Sequence, residues 1–429
     1  MDTILNLKKN AIVNLDYCSF CKKIMTGLTY FVDRWEFPDG IKWVIRIRFY
    51  GNRLQAHSDK VIKWRKFSLN DLTTLSYLIY LIYSKMIDKV VMILMSTNLS
   101  EFFFNKKERV FLPVGIYGGL SESNYTVVEA ATNAEAQFAV SLRMHELFNT
   151  PVILTGMDLS VEAEAFGCEI RFSTDEVPTV IGRKARSTEE ILNLNVPNIG
   201  DARTGVYLDA AKRLSRIGKE RGVPVLGGMI GPFSLAGRIF GVSEALELSL
   251  TGPDELSLLL EKITPFLIQY ASAFKNAGTN GVIIAEPAAG LLSPRGLGKF
   301  SSPYVRQIIE ATQNEDFTIV LHNCGAKLVH LNKILEARAE IYHFGEPMDM
   351  SAALAQVDRR IILGGNLDPS AVFASGDVDN VVFKTNELLE ATSHFPNFFL
   401  SSGCEIPPNA KSEHIKVCSQ TVRASDLRK

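Results

Sequence analysis

A chain of 429 residues with 46% hydrophobic side chains is long enough to bury a large core and to hold more than one domain. A formal net charge of −1 offers no field for nucleic-acid phosphates or an anionic membrane, so neither is an expected partner. Six irregularly spaced cysteines do not make a disulfide framework and point to a reducing, cytoplasmic setting.

The first 94 residues stand apart from the rest. They carry 15 Lys+Arg against 8 Asp+Glu and all three Trp, yet only 3 of the 30 Gly and 1 of the 17 Pro. A segment so poor in turn formers does not read as the opening of the glycine-rich region that follows, which places a boundary near 92–95. Met1-Asp2-Thr3-Ile4 lacks the basic-then-apolar pattern of a secretory signal. The run 75–83 is apolar, but Lys85, Asp88 and Lys89 interrupt it, and a membrane span needs about 20 apolar residues, so no membrane insertion is expected. Cys18-Ser19-Phe20-Cys21 is a CxxC without a second pair and carries neither a metal nor a redox reading. The segment is an N-terminal extension, either an accessory domain or non-native upstream sequence with Met95 as the natural start. Its lack of a clear hydrophobic period favours the second.

From Arg109 onward, short apolar runs alternate with amphipathic stretches. The runs are 110–117, 151–155, 224–229, Gly281–Ala285, 318–321, 340–344, 360–363 and 398–400. Between them lie helical patterns at 133–148, 253–277, 303–312 and 379–392. Pro253-Asp254-Glu255 puts a proline and two acids where a first helical turn favours them. Eight nearly continuous apolar strands alternating with helices predict an α/β fold, a (β/α)8 TIM barrel over 95–429. An open doubly wound sheet is the alternative, weakened because no GxGxxG follows a strand.

A barrel of this kind works at the C-terminal ends of its strands, and polar residues collect there. They include Asp158, Glu162 and Glu164 after the second strand, Glu286 after the fourth, and His322 and Cys324 at the fifth. His343 and Glu346 follow at the sixth, Asp368 at the seventh, and Cys404-Glu405 at the eighth. Glu164, Glu346 and Glu405 read first as helix caps or loop ion pairs. Residues two apart on a strand share a face, so His322 and Cys324 point the same way. With Cys404 they offer three ligands and an open fourth place, the pattern of a catalytic rather than a structural zinc. The competing reading is that buried cysteines simply fill core.

The segments Met157-Asp158-Leu159, Gly227-Gly228-Met229-Ile230-Gly231-Pro232, Ala285-Glu286-Pro287, His322-Asn323-Cys324-Gly325, Gly364-Gly365-Asn366-Leu367-Asp368-Pro369 and Ser401-Ser402-Gly403-Cys404 resemble the uroporphyrinogen decarboxylase superfamily. The HxC…C pattern resembles its corrinoid-dependent branch, the methylcobamide:coenzyme M methyltransferases. The resemblance covers about 106–424 and not the first 94 residues. It implies a zinc enzyme, with His322, Cys324 and Cys404 as ligands and Glu286 as a candidate fourth. It implies methylcobalamin supplied by a partner corrinoid protein, and a small thiol such as coenzyme M as acceptor. Asp158, His343 and Asp368 are then expected to orient substrate, and Gly228, Met229 and Gly231 to let the backbone approach the corrin.

Two rivals follow. The decarboxylases use an Arg-Gln-Ala-Gly-Arg segment near the barrel start to hold carboxylates, whereas 112–119 here reads Leu-Pro-Val-Gly-Ile-Tyr-Gly-Gly, without arginine. They also end the last strand in Gly-His, where this chain has Gly403-Cys404. A non-catalytic tetrapyrrole-binding protein with a structural zinc is the other.

Overall fold

The computed structural model describes residues 28–37, 40–49, 99–104, 106 and 108–426. The CxxC at 18–21, the apolar run 75–83 and the boundary region 92–95 lie outside the described residues. The chain divides after Val90 into two units. In the first, β1 (Leu28–Phe37) and β2 (Gly40–Phe49) form an antiparallel hairpin that pairs Leu28 with Phe49 and Phe37 with Gly40. The alternation Ile41, Trp43, Ile45, Ile47 is a strand period, so this segment does carry a pattern that the composition obscured.

The second unit is built on eight parallel strands. They are β3 (Phe111–Leu112), β4 (Ile153–Leu154), β7 (Val225–Ile230), β8 (Gly281–Ala285), β9 (Thr318–Asn323), β10 (Ile341–Phe344), β11 (Ile362–Leu367) and β12 (Phe398–Ser402). Their order in the sheet is β3-β12-β11-β10-β9-β8-β7-β4. Each strand after β4 thus lies beside its predecessor in this series, the winding of a TIM barrel curled from its first strand to its last. All eight predicted strands exist. The first is shorter than 110–117 because Pro113 has no N–H for a ladder and Gly115 turns the chain at φ +101°. The Val114 N–H instead donates to Ser402 Oγ at 2.8 Å, which keeps the loop against β12.

The predicted helices appear with caps that explain their ends. Asn133 accepts from the N–H groups of Glu135 and Ala136 and starts Ala134–Phe148. Pro253–Asn276 opens on proline followed by Asp254 and Glu255. Gly222, at φ +67°, ends Thr204–Arg221 in the left-handed conformation glycine adopts freely.

Two apolar layers hold the barrel. The outward residues of the strands, among them Val282, Ile319, Tyr342 and Leu363, pack under the helices. The inward residues form a second cluster that includes Leu226, Ile283, Val320, Ile341 and Phe399. Burying each such side chain contributes about 1.5–3 kcal/mol. One step further along the strands, the ladder register aligns Ala285 with His322 and His322 with His343. The hydrophobic interior therefore ends where the polar level begins. The sequence reading missed one insertion, the hairpin β5 (Glu169–Arg171) and β6 (Thr179–Ile181), which leads from the second strand back over the barrel mouth.

Candidate metal centre

Above the apolar interior, His322 Nδ1 lies 2.7 Å from His343 Nδ1. His343 Nε2 lies 2.7 Å from Ser401 Oγ, and the Ser401 hydroxyl donates to the Leu112 carbonyl. The direction of this chain fixes the proton positions. Ser401 spends its hydrogen on Leu112, so His343 Nε2–H donates to Ser401. His343 Nδ1 is then an acceptor, and His322 Nδ1–H donates to it. His322 Nε2 is left with a lone pair. Burial and the neighbouring His322 hold His343 well below the usual imidazole range, which keeps it neutral as this pattern needs.

His322 Nε2 is buried and has no hydrogen-bond partner. The structure gathers it with the sulfurs of Cys324 and Cys404, all ligand atoms lying within 4.8 Å of one another. The two thiols share a hydrogen bond. It lowers Cys324, which accepts, and together with burial pushes Cys404 up to about 12. An orphaned imidazole nitrogen facing two sulfurs fits a zinc ion in donor chemistry.

These residues line a cavity of about 280 Å³. Its walls include Met157, Leu159, Ala285 and Pro287, the hairpin residues Val177, Pro178 and Thr179, and the polar groups Arg238 and Glu405. Glu405 is not the ion pair or cap expected of it. Its Oε1 is buried without a partner, and burial with the nearby Cys404 holds its carboxyl well above the usual range. Gly115 makes room for it, since a Cβ there would come within 2.6 Å of Glu405 Cγ.

Several predicted site residues are placed elsewhere. Glu286 does not join the metal group: its carboxylate accepts from Phe233 N at 2.8 Å, Ser234 N at 3.1 Å and Ser234 Oγ at 2.9 Å, at the start of the helix Pro232–Phe240. Burial still pushes it up to about 7. Asp158 turns away from the cavity between Met157 and Leu159. Its side chain is 0% exposed and is ion-paired to Arg203, while Ser160 donates to it through N and Oγ at 2.8 and 2.6 Å. Arg203 also holds Glu164 at 2.5 Å, the ion pair expected of that residue. Asp368 accepts from Ser370 N at 2.8 Å and Ala371 N at 2.9 Å and so caps the turn Pro369–Ala374.

Gly228, Met229 and Gly231 are buried, and none lines the cavity. A Cβ on Gly228 would meet the Gly156 carbonyl at 2.7 Å, and one on Gly231 would meet Glu286 Cγ at 2.3 Å. Their smallness serves packing between neighbouring strands and loops. Arg203 and Arg238 were missed because nothing local marks them. Each gains its role from residues distant in sequence.

The family model for uroporphyrinogen decarboxylase (URO-D) matches residues 116–425. The chain belongs to the uroporphyrinogen decarboxylase family. Within it, the chain is 30% identical over 302 residues to the methylcobamide:CoM methyltransferase MtbA of Methanosarcina mazei, covering 69% of this chain and 87% of that one. It is 26% identical over 311 residues to the MtaA enzyme of the same description from Methanosarcina barkeri, covering 70% and 88%. A uroporphyrinogen decarboxylase from Hahella chejuensis matches at 26% over 302 residues, covering 68% and 83%. Among solved structures, a methyltransferase from Methanosarcina mazei superposes with a TM-score of 0.68 at 25% identity, covering 77% of this chain and 98% of that one. The fold and the methyltransferase branch of the decarboxylase family are those expected from the motifs. No helix of the described residues is long and apolar enough to cross a membrane.

Proposed function

We propose that this enzyme transfers a methyl group from a methylated corrinoid, carried by a partner protein, to the sulfur of a small thiol. The observation that carries the reading is the orphaned His322 Nε2 beside Cys324 and Cys404 on a small cavity. These three side chains would hold zinc, which would supply the Lewis acidity that keeps an acceptor thiol deprotonated and nucleophilic near neutral pH. The hydrogen-bonded series His343, Ser401 and Leu112 fixes the His322 ring with its lone pair toward the sulfurs. In the transfer, the sulfur of the acceptor bonds to the methyl carbon as the carbon–cobalt bond breaks. Cobalt keeps the electron pair, giving a methyl thioether and cob(I)alamin.

The cavity volume supports a small acceptor. At about 280 Å³ it falls near the lower end of small-molecule sites. The scarcity of basic groups counts against uroporphyrinogen decarboxylation, Arg238 being the one cation among the described residues that line it. Coenzyme M is the acceptor suggested by the methyltransferase relatives.

The test is metal content by elemental analysis, with methylcobalamin consumption in the presence of thiols, on the wild type, Cys324→Ala and Cys404→Ala. About one zinc per chain, lost in both variants while circular dichroism is retained, is the expected result. A wild type purified without chelators that holds no zinc refutes the reading. Formation of coproporphyrinogen from uroporphyrinogen would replace it with decarboxylation.

A further inference from the structure

Cys324 and Cys404 lie just past the ends of β9 and β12, with two strands between them in the sheet. Their sulfurs nevertheless sit within 4.8 Å of each other and share a hydrogen bond. Glycines permit this approach. A Cβ on Gly345, past the end of β10, would meet Cys324 Cα at 2.8 Å, and one on Gly403 would meet Gly345 Cα at 3.1 Å. Bare backbone thus stacks from Cys324 through Gly345 to Gly403, where side chains would wedge the strand ends apart. Both cysteines are partly exposed and line the cavity, whereas Cys168 and Cys418 are buried. Among the described residues, this is the one pair of thiols that meets both a partner sulfur and an open cavity. Metal and covalent bond make incompatible demands on it. Tetrahedral zinc at about 2.3 Å from each sulfur holds the two about 3.8 Å apart as thiolates. A disulfide draws them to about 2.05 Å and removes the thiolate charge that a metal needs.

We propose that Cys324 and Cys404 form a redox switch on the metal site: a small-molecule disulfide oxidises the reduced, metal-free pair to an internal disulfide, and zinc on the two sulfurs blocks that reaction. The inference rests on the reading of these sulfurs as zinc ligands. In the first step one cysteine thiolate attacks a sulfur of the small disulfide, releasing one small thiol and leaving a mixed disulfide. The other cysteine sulfur then attacks the first, the protein disulfide forms, and the second small thiol leaves. Two protein thiols are oxidised and one small disulfide is reduced, and the two protons of the pair leave with the small thiols. The oxidant reaches the pair through the cavity that both sulfurs line. The oxidised site takes neither zinc nor an acceptor thiol, and excess small thiol reverses the change.

The experiment holds the full-length chain in buffers of fixed oxidised and reduced glutathione, once stripped of metal and once saturated with zinc. The products are trapped in acid and alkylated. Peptide mapping without reductant then separates a bond between Cys324 and Cys404 from any made by Cys18 and Cys21. The stripped chain should link Cys324 to Cys404. Free zinc at about 100 times its dissociation constant should lower the ratio of linked to unlinked pair ~100-fold. The linked chain should take up no zinc from a chromophoric chelator and regain uptake after reduction. Cys404→Ser should instead accumulate a glutathione adduct on Cys324, because the sulfur that closes the bond is gone. Adducts on the wild-type pair without a link between the two overturn the inference, as does a link that forms equally under saturating zinc. Either result with normal zinc binding by the reduced chain refutes the switch alone. If the reduced wild type binds no zinc, the metal reading falls and the switch with it.

Discussion

The ordering of His322 by His343 makes a quantitative prediction. His343→Phe keeps an aromatic ring beside Phe399, whose ring centroid lies 6.2 Å away, but removes both nitrogens. His322 Nδ1–H then loses the acceptor at 2.7 Å and stays buried, since His322 is 1% exposed. Leaving a buried donor unmade costs about 1–3 kcal/mol. The ring escapes that cost by flipping or by moving its hydrogen, and either choice takes the lone pair away from the two sulfurs. Loss of such an orienting partner behind a metal-bound histidine typically weakens metal binding 10–100-fold, or about 1.4–2.7 kcal/mol, in line with the first figure. The assay is competition for zinc against a chromophoric chelator at fixed pH, with a melting curve to confirm that the barrel persists. Ser401→Ala, one step further back, should weaken zinc binding less than His343→Phe. If a folded His343→Phe binds zinc within about twofold of wild type, the orienting series has no role in metal binding and the tautomer argument is wrong.

Other predictions concern the groups around this centre. Asp158→Asn breaks a buried pair with Arg203 and leaves Glu164 as that guanidinium's one remaining carboxylate partner among the described residues, so unfolding free energy should fall by about 1–3 kcal/mol with zinc content unchanged. A normal melting curve combined with lost thiol binding would instead give Asp158 the substrate role the motif suggested. Glu162 is held protonated by burial, its carboxyl raised to about 8, while an unfolded chain ionises it near the ordinary 4.5. Between those values the folded state holds more protons, so this group's stabilising share is complete below pH 4.5. It declines by about 1.4 kcal/mol per pH unit until about pH 8. Glu162→Gln removes the decline, and denaturant titrations should find it more stable than wild type at pH 8 and not at pH 5. Gly231→Ala drives a methyl into Glu286 Cγ, displacing the carboxylate from the helix start. About 1–3 kcal/mol of destabilisation in thermal melts is expected, without loss of zinc.

The local part of this protein was written plainly in its chain. Each barrel strand is a short apolar run bounded by turn residues, because a strand covered on both faces needs no alternation. The helices announced their ends by Asn133 and by Pro253-Asp254-Glu255, since capping chemistry acts within a few residues. The pairing of His322 with Cys324 was legible for the same reason, two residues on one strand sharing a face. Cys404 joined them by way of the barrel rule that strand ends meet at one mouth.

The direction of a side chain at a strand end was not legible. Asp158 sits between two residues that line the cavity, yet it turns into the barrel wall because Arg203, far along the chain, offers it a buried partner. Glu286 was drawn to the N–H groups at the start of the helix Pro232–Phe240 and away from the sulfurs, and Gly231 is small to let it reach them. Arg238 was invisible for the converse reason. Its side chain makes no ion pair or hydrogen bond among the described residues, and a sequence shows which charges exist but not which find partners. Residue types and local periods determined the barrel and the ligand pair. Only the folded chain decided which carboxylates are struts, which nitrogen is free, and where one cation waits at the cavity wall.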